Sequence, residues 1–147
     1  MKLAIGSDHR GYKLKEFLKQ KLSISHEVQD FGVSSEEPSD YPDIAIPLAE
    51  RVAKGDFAFG ILICYTGIGM SIAANKVKGI RAAHVTDERY AIISRKHNNA
   101  NVICLPGGFI KEEDALNAVI LFLETEFEGG RHNRRLDKIA NYERSTK

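Results

Sequence analysis

The feature that most constrains the fold of this chain is an apolar run that leads into a turn with two glycines. Residues Phe57–Cys64 are apolar or glycine throughout, and the turn Gly67–Met70 follows closely. Such a run is typical of a strand that is buried on both faces. Strands of this kind lie inside parallel sheets, because crossover helices cover both sides of those sheets. The run therefore predicts an α/β fold.

The rest of the chain alternates between strand-like and helical patterns. Further strand-like runs occupy Lys2–Ser7, Glu27–Phe31, Ile80–Val85 and Val102–Leu105. Apolar residues at helical spacing predict helices near residues 14–22, 43–54, 71–77, 86–97 and 116–127, with a last helix from about Asn133. Thr86 or Asp87 is the expected N-cap of the fourth helix. Five strands that are each followed by a helix predict a five-stranded parallel sheet with right-handed crossovers.

Length, charge and cysteine content narrow the class of protein. A chain of 147 residues is expected to form a single domain, residues 1–147. Its 21 basic and 20 acidic residues give a net charge of +1, which argues against nucleic-acid and membrane partners. No apolar stretch is long enough to span a bilayer or to form a secretory signal. Cys64 and Cys104 are too few for a disulfide scaffold, which favours the cytoplasm.

The carboxyl ends of the predicted strands carry groups that can do chemistry. Parallel sheets bind ligands just beyond these ends. We therefore expect five segments to share one edge of the sheet: Ser7-Asp8-His9, Phe31-Gly32, Cys64–Gly67, Val85–Asp87 and Leu105–Gly107.

The segment Cys64–Ser71 leaves a buried strand and enters a helix. Backbone N–H groups in such a turn can face a ligand, and the helix N-terminus adds a positive partial charge. An oxyanion or a phosphate would be stabilised there, and the same field would favour the thiolate of Cys64. The alternative is a structural turn with a buried, inert cysteine.

Three known loop patterns do not fit this segment. It is not G-x-G-x-x-G, because Gly67-x-Gly69 continues as Met70-Ser71-Ile72. It is not a P-loop, since no Gly-Lys-Ser/Thr follows. A cysteine-phosphatase loop needs an arginine six positions after the cysteine, where this chain has Met70. Dinucleotide binding and phosphomonoester hydrolysis are therefore disfavoured.

Other titratable and charged residues have both functional and structural interpretations. Asp8 and His9 could exchange protons or contact a sugar, or Asp8 could simply cap a helix. His97 could titrate near neutral pH, or stabilise a helix C-terminus. Arg131 and Arg135 lie one helical turn apart and could clamp a phosphate, or could form a solvated face.

Two further expectations concern histidine and metal. His84 has no obvious partner in the sequence and is interpreted as structural. No spacing of Cys, His, Asp and Glu residues resembles a metal site, so no metal is expected.

Several motifs together resemble one family, from the first strand to the last helix. They are Ser7-Asp8-His9, Ser39-Asp40-Tyr41-Pro42-Asp43, Gly60–Cys64 with Thr66–Lys76, Gly79-Ile80-Arg81-Ala82, His97–Asn101, and Glu128–His132 with Arg135. The chain resembles the type B ribose-5-phosphate isomerases, whose family also includes galactose-6-phosphate isomerase subunits.

The resemblance implies a Rossmann-like three-layer sandwich: a five-stranded parallel sheet, helices on both faces and an extended C-terminal helix. It implies a homodimer with active sites at the subunit interface. Two such dimers could also pair as a tetramer. It implies no metal and no organic cofactor. The implied reaction is aldose–ketose isomerisation of a phosphorylated sugar, typically ribose 5-phosphate to ribulose 5-phosphate.

The resemblance also implies roles for individual residues. Cys64 would move a proton between C1 and C2, and Thr66 would help to hold the enediolate. His97 would assist ring opening, with Asp8 near the sugar oxygens. His9, Arg131 and Arg135 would hold the phosphate. The implied substrate-binding residues are His9, Gly67, Gly69, Ser71, Asn98, Arg131 and Arg135.

Two positions depart from the family pattern. Tyr65 follows the cysteine where many relatives have glycine, and Gly108 stands where many have arginine. We expect Tyr65 to narrow the region near the base and Gly108 to leave space for a longer phosphosugar. The substrate could therefore be a hexose 6-phosphate, such as allose or galactose 6-phosphate. The alternative of a different class is a non-catalytic module that binds a sugar phosphate or a nucleotide.

Overall fold

The computed structural model describes residues 1–146, and it contains one all-parallel sheet of five strands. The strands are β1 (Lys2–Ser7), β2 (Glu27–Asp30), β3 (Phe59–Cys64), β4 (Ala82–His84) and β5 (Val102–Pro106). Their order across the sheet is β2-β1-β3-β5-β4. The helices are α1 (Tyr12–Leu22), α2 (Pro42–Ala53), α3 (Ile68–Asn75), α4 (Glu88–Asn98), α5 (Glu112–Glu124) and α6 (Arg131–Ser145). The predicted Rossmann-like fold is confirmed.

The core consists of two apolar layers, one on each face of the sheet. Side chains alternate between the faces of a strand, so Ile61 and Ile63 pack towards α1 and α5. Leu62 and Cys64 point the other way, towards α2 and α3. Full burial of an isoleucine or leucine contributes about 1.5–3 kcal/mol, which makes the apolar run in β3 the centre of the stabilising core.

Element boundaries differ from the predicted ones where side chains take over backbone hydrogen bonds. Strand β4 covers three residues rather than 80–85, because Asn101 accepts the Arg81 N–H and Asn75 accepts the Ala82 N–H. Helix α5 ends before residue 127, because Thr125 takes an extended conformation, in which its carbonyl oxygen accepts a hydrogen bond from the Arg95 side chain. Helix α4 is capped by Asp87, one of the two predicted caps.

A buried lysine fastens the long loop that follows β2. The Lys15 side chain is fully buried, and its Nζ donates to Asp30 Oδ2 at 2.7 Å and to the Val33 carbonyl oxygen at 2.6 Å. Burial opposes ionisation of Asp30, but hydrogen bonds from Lys15 and Lys19 outweigh it and lower the pKa of that carboxyl. Loop residues 31–41 are therefore tied to α1 and to β1, where Val33 N–H donates to the Ser7 carbonyl oxygen.

Within residues 1–146, no helix has both the length and the apolar character needed to cross a membrane.

Candidate active site

The thiol of Cys64 lies at the carboxyl end of β3, inside a turn that only glycine permits. Cys64 is 5% exposed, and the Gly67 N–H donates to its Sγ at 3.2 Å. Gly67 has φ +80°, a left-handed conformation that side chains disfavour. A Cβ at Gly67 would also lie 2.9 Å from the His84 ring and 3.0 Å from the Leu105 carbonyl carbon. The turn thus brings an N–H group directly onto the sulfur.

The first turn of α3 presents unpaired N–H groups beside this thiol. Gly67, the N-cap residue, makes no side-chain cap, and Ile68 N–H donates to Thr66 Oγ1 at 3.1 Å. In the described part of the chain, the Gly69 and Met70 N–H groups have no protein acceptor. They can therefore donate to a negatively charged oxygen, with support from the helix dipole.

Neighbouring side chains fix this turn from outside. His84 Nε2 lies 2.7 Å from the carbonyl oxygen of Thr66, and Ser71 Oγ donates to the Ile68 carbonyl oxygen at 2.8 Å. The Tyr41 ring packs so closely that a Cβ at Gly69 would lie 2.7 Å from it. Sequence reasoning gave His84 and Tyr41 no such role, because no local pattern indicates contact with a turn tens of residues away.

Asp8 and His9 join the thiol at the same edge. Asp8 N–H donates to the Ile63 carbonyl oxygen at 3.3 Å, next to Cys64. Asp8 is buried, and its Oδ1 accepts N–H groups of Arg10 and Gly11 at 3.0 and 3.1 Å. Asp8 therefore caps the short turn after β1, as the structural alternative predicts, while its second carboxylate oxygen accepts no hydrogen bond from residues 1–146.

Tyr65 and Gly108 form one packed unit. A Cβ at Gly108 would lie 2.2 Å from Tyr65 Cε1, and the Gly108 N–H donates to the Tyr65 carbonyl oxygen at 2.9 Å. The Tyr65 ring also packs against Phe109, with 5.0 Å between ring centroids. The expectation that Gly108 leaves open space is therefore wrong, because the Tyr65 ring fills that space.

A second group of polar residues surrounds the end of α4. The rings of His97 and His132 are stacked with centroids 4.4 Å apart. Glu128 Oε1 lies 3.6 Å from Nε2 of each histidine. His132 is buried and its Nε2 has no hydrogen-bond partner in the described residues. Burial, together with the nearby charges of Arg131 and His97, lowers the pKa of His132.

This second group also brings together three side chains of the types that bind metals. The candidate ligand atoms of His97, Glu128 and His132 all lie within 4.8 Å of one another. No sequence spacing predicts this cluster, because its residues come from a helix end, a loop and the next helix.

Two half-sites thus occupy opposite edges of the sheet. Helix α4 runs back from the end of β4 to the start of β5, so His97 and Asn98 lie near the amino ends of the strands. Arg131 and Arg135 lie exposed on the first turns of α6, next to His132. Strand β3 has six residues, so about 17 Å separates this edge from Cys64. Within one chain, the four residues do not meet the thiol.

We call the edge with His97, Asn98, Arg131 and Arg135 the amino edge, and the opposite edge, at the carboxyl ends of the strands, the carboxyl edge. The carboxyl edge gathers the other predicted site residues: Cys64, Thr66, Asp8, His9, Gly67, Gly69 and Ser71.

Comparison with known proteins identifies the family. Residues 3–139 match the model of the Ribose/Galactose Isomerase family. The chain is 46% identical over 145 residues to the "Probable ribose-5-phosphate isomerase B" of Mycoplasma genitalium, covering 97% of this chain and 95% of that protein. It is 42% identical over 143 residues to the "Ribose-5-phosphate isomerase B" of Escherichia coli, covering 97% of this chain and 96% of that protein.

Solved structures agree with the sequence comparison. Ribose-5-phosphate isomerase B of Clostridium thermocellum superposes with a TM-score of 0.96 at 47% identity, over 98% of both chains. The Mycoplasma genitalium enzyme with bound ribulose-5-phosphate superposes with a TM-score of 0.94 at 44% identity, over 99% of this chain and 97% of that one. The motifs, the sheet order and these similarities converge: the chain belongs to the ribose/galactose isomerase family, with the type B ribose-5-phosphate isomerases as its relatives, and is a sugar-phosphate aldose–ketose isomerase.

Proposed function

We propose that this chain interconverts ribose 5-phosphate and ribulose 5-phosphate through an enediolate, with Cys64 as the base. The observation that carries the proposal is the thiol beside an open helix start: Sγ accepts the Gly67 N–H at 3.2 Å, and the Gly69 and Met70 N–H groups have no protein acceptor. The bound ribulose-5-phosphate in the Mycoplasma genitalium relative supports the choice of sugar.

The proposed proton transfer uses the carboxyl edge. In the open-chain aldose, the Cys64 thiolate removes the proton from C2. The C–H electron pair becomes the C1–C2 double bond, and the aldehyde oxygen takes up negative charge. The free N–H groups of α3 and the Thr66 hydroxyl stabilise this oxygen, because preorganised donors cost little reorganisation. Movement of the O2 proton to O1 and return of the thiol proton to C1 then give the ketose.

Ring opening and phosphate binding combine residues of the amino edge with Asp8 and His9 of the carboxyl edge. His97 exchanges protons between the ring oxygen and the anomeric hydroxyl, while the free carboxylate oxygen of Asp8 accepts from a sugar hydroxyl. Asn98 contacts the sugar. The phosphate is held by His9, Arg131 and Arg135, and its binding energy positions the reacting carbons.

Because these residues lie at opposite edges of one chain, the proposal includes a homodimer. A twofold axis would place the amino edge of one chain against the carboxyl edge of its partner and create two equivalent sites. Exposed apolar side chains near Cys64 support such an interface: Ile68 and Ile72 on α3 are 50% and 55% exposed, and Tyr41 and Ile46 lie close by on and before α2. Two dimers could pair as a tetramer.

The proposed setting is the pentose phosphate pathway in the cytoplasm, with no metal or organic cofactor. The scarcity of cysteine supports the cytoplasm, where disulfides are rare.

A turnover assay on a panel of pentose and hexose phosphates, with EDTA present, tests the proposal. We expect the highest kcat/KM with ribose 5-phosphate. A hexose 6-phosphate or an epimeric pentose phosphate turned over tenfold more efficiently would overturn the choice of sugar and leave the isomerase assignment intact. Binding of sugar phosphates without turnover of any would instead indicate the non-catalytic module.

A further inference from the structure

Arg10 carries a positive charge that the protein holds in place but does not neutralise. It lies on the short turn His9–Gly11, where its N–H donates to Asp8 Oδ1 at 3.0 Å. Its guanidinium carbon lies over the Tyr65 ring, 3.9 Å from the ring centroid, which is within the range of a cation–π contact. Among residues 1–146, no carboxylate lies within 4.0 Å of this guanidinium.

The ring that supports Arg10 is itself fixed. Tyr65 packs against Phe109 and occupies the space that a side chain at Gly108 would need. Tyr65 directly follows Cys64 in the chain. The guanidinium of Arg10 is therefore positioned relative to the thiol through a single rigid aromatic side chain.

His9 places a second hydrogen-bond donor next to Arg10. Ser39 N–H donates to His9 Nδ1 at 3.2 Å, and His9 N–H donates to Ser39 Oγ at 3.0 Å. Because Nδ1 accepts a hydrogen bond, the neutral imidazole carries its proton on Nε2. His9 can thus donate to an anion without being charged.

These two donors face a shared cavity. A cavity of about 340 Å³ at the edge of the sheet that holds Cys64 is lined by His9, Arg10, Leu14 and Gly107, together with Lys13 and Glu36. Lys13 and Glu36 pair with each other at 3.7 Å, so the Glu36 charge is offset and Arg10 remains the unpaired cation. A guanidinium offers paired N–H groups that match two oxygens of a phosphate, and an imidazole N–H can bind a third. The chemistry of the cavity fits a phosphate monoester.

We propose that Arg10, held over the Tyr65 ring, is a phosphate-binding residue that acts beside His9 in this active site. The proposal rests on the proposed function, since the phosphate in question is that of the sugar substrate. Tyr65 is a positioning residue in this arrangement: it holds the guanidinium and does not itself contact the phosphate.

The test is calorimetric titration of inorganic phosphate into the purified protein, together with kcat and KM for ribose 5-phosphate. Arg10→Ala should weaken phosphate binding and raise KM by about tenfold or more, the usual effect of losing a charge-assisted hydrogen bond. It should change kcat less than KM, because the phosphate lies away from the reacting carbons. Lys21→Ala is the matched control, because Lys21 is an exposed cation that also lies over an aromatic ring, Phe17, but at the other end of α1 from this cavity.

Substitutions at Tyr65 test whether its ring positions the Arg10 guanidinium, since they leave the charge of Arg10 in place. Tyr65→Phe keeps the aromatic face and should keep phosphate affinity. Tyr65→Leu removes that face and should weaken phosphate binding by about two- to fivefold, the contribution of an exposed cation–π contact. In the Arg10→Ala variant, adding Tyr65→Leu should cause no further loss of phosphate affinity.

Three outcomes would overturn the proposal: no phosphate binding by the wild-type protein, unchanged affinity in Arg10→Ala, or an equal loss in Lys21→Ala. If the wild-type protein turned over no sugar phosphate, the proposed function would fail. The titration would still decide whether Arg10 binds phosphate.

Discussion

The two edges of the sheet hold residues of the same predicted site in very different ways. At the carboxyl edge, Cys64 and Asp8 are 5% and 6% exposed, and backbone N–H groups surround them. At the amino edge, His97 is 41% exposed, and Arg131 and Arg135 extend from a helix start into solvent. The residues of the first edge are buried and held by hydrogen bonds, whereas at the second edge His97 stacks on His132 and the two arginines extend into solvent.

This difference is consistent with the separate roles proposed for the two edges. A base works best where water is excluded and its donors are fixed, which a strand end and a glycine turn provide. Groups that capture a charged, mobile substrate can stay exposed until the substrate or a second subunit covers them. Under the proposed roles, neither edge alone holds all the groups that isomerisation requires.

The largest expected effect comes from removing the proposed base at the carboxyl edge. Cys64→Ala should lower kcat by about a hundred- to ten-thousandfold, the usual contribution of a general base, while KM changes little. Steady-state kinetics and circular dichroism measure activity and fold. Cys104→Ala is the control: Cys104 is fully buried and burial raises the pKa of its thiol, so its loss should leave kcat intact. Near-wild-type turnover by Cys64→Ala would exclude this residue as the base.

Mixing two inactive chains tests whether the edges meet between subunits. One chain carries Cys64→Ala and the other carries His97→Asn with Arg135→Ala. In a random mixture, half of the dimers are mixed and each has one intact site, so about a quarter of wild-type activity should return. Co-refolded samples measure the recovery, with each variant refolded alone as the control. Activity that stays at the level of the separate variants would contradict shared sites.

A smaller effect concerns the packing of the carboxyl edge. Gly108→Arg should destabilise the protein by about 1–3 kcal/mol, because its Cβ would overlap the Tyr65 ring. Tyr65→Gly combined with Gly108→Arg should recover most of this loss. Urea unfolding of the two single variants and the double variant measures the coupling. Additive free energies of unfolding would show that the two positions do not share space.

The smallest effect belongs to the amino edge and depends on pH. The folded protein lowers the pKa of His132, chiefly by burial, so the unfolded chain binds a proton at higher pH than the folded chain does. Stability from this residue is therefore present above about pH 6.5 and is lost as the pH falls further. His132→Gln should flatten the decline of Tm with acidification. An unchanged slope in this variant would assign the decline to other groups.

The sheet and the carboxyl edge were predictable because they follow from local pattern. The apolar run in β3 and the glycines after it indicate a buried strand and a tight turn wherever the rest of the chain lies. No local sequence pattern predicts the contact of His97 with Glu128 and His132, because these residues come from three separate segments of the chain. Tyr65 and Gly108 show the same limit. Considered separately, Tyr65 predicts a narrower substrate pocket and Gly108 a wider one. The structure shows that the Tyr65 ring fills the space beside Gly108.

The buried Lys15 has a consequence for local opening of the chain. Residues 31–41 form a long loop without a helix or strand, the kind of segment that normally exchanges its amide hydrogens freely. In this protein, the loop is anchored near its start by Lys15 at Asp30 and Val33, and near its end by Ser39, which binds His9. Amide exchange should therefore be slow at Val33 and Ser39 and fast between them, at Ser35 and Glu36. The loop beside the proposed substrate pocket would then be kept rigid by the Lys15–Asp30 ion pair, which lies at the edge strand β2.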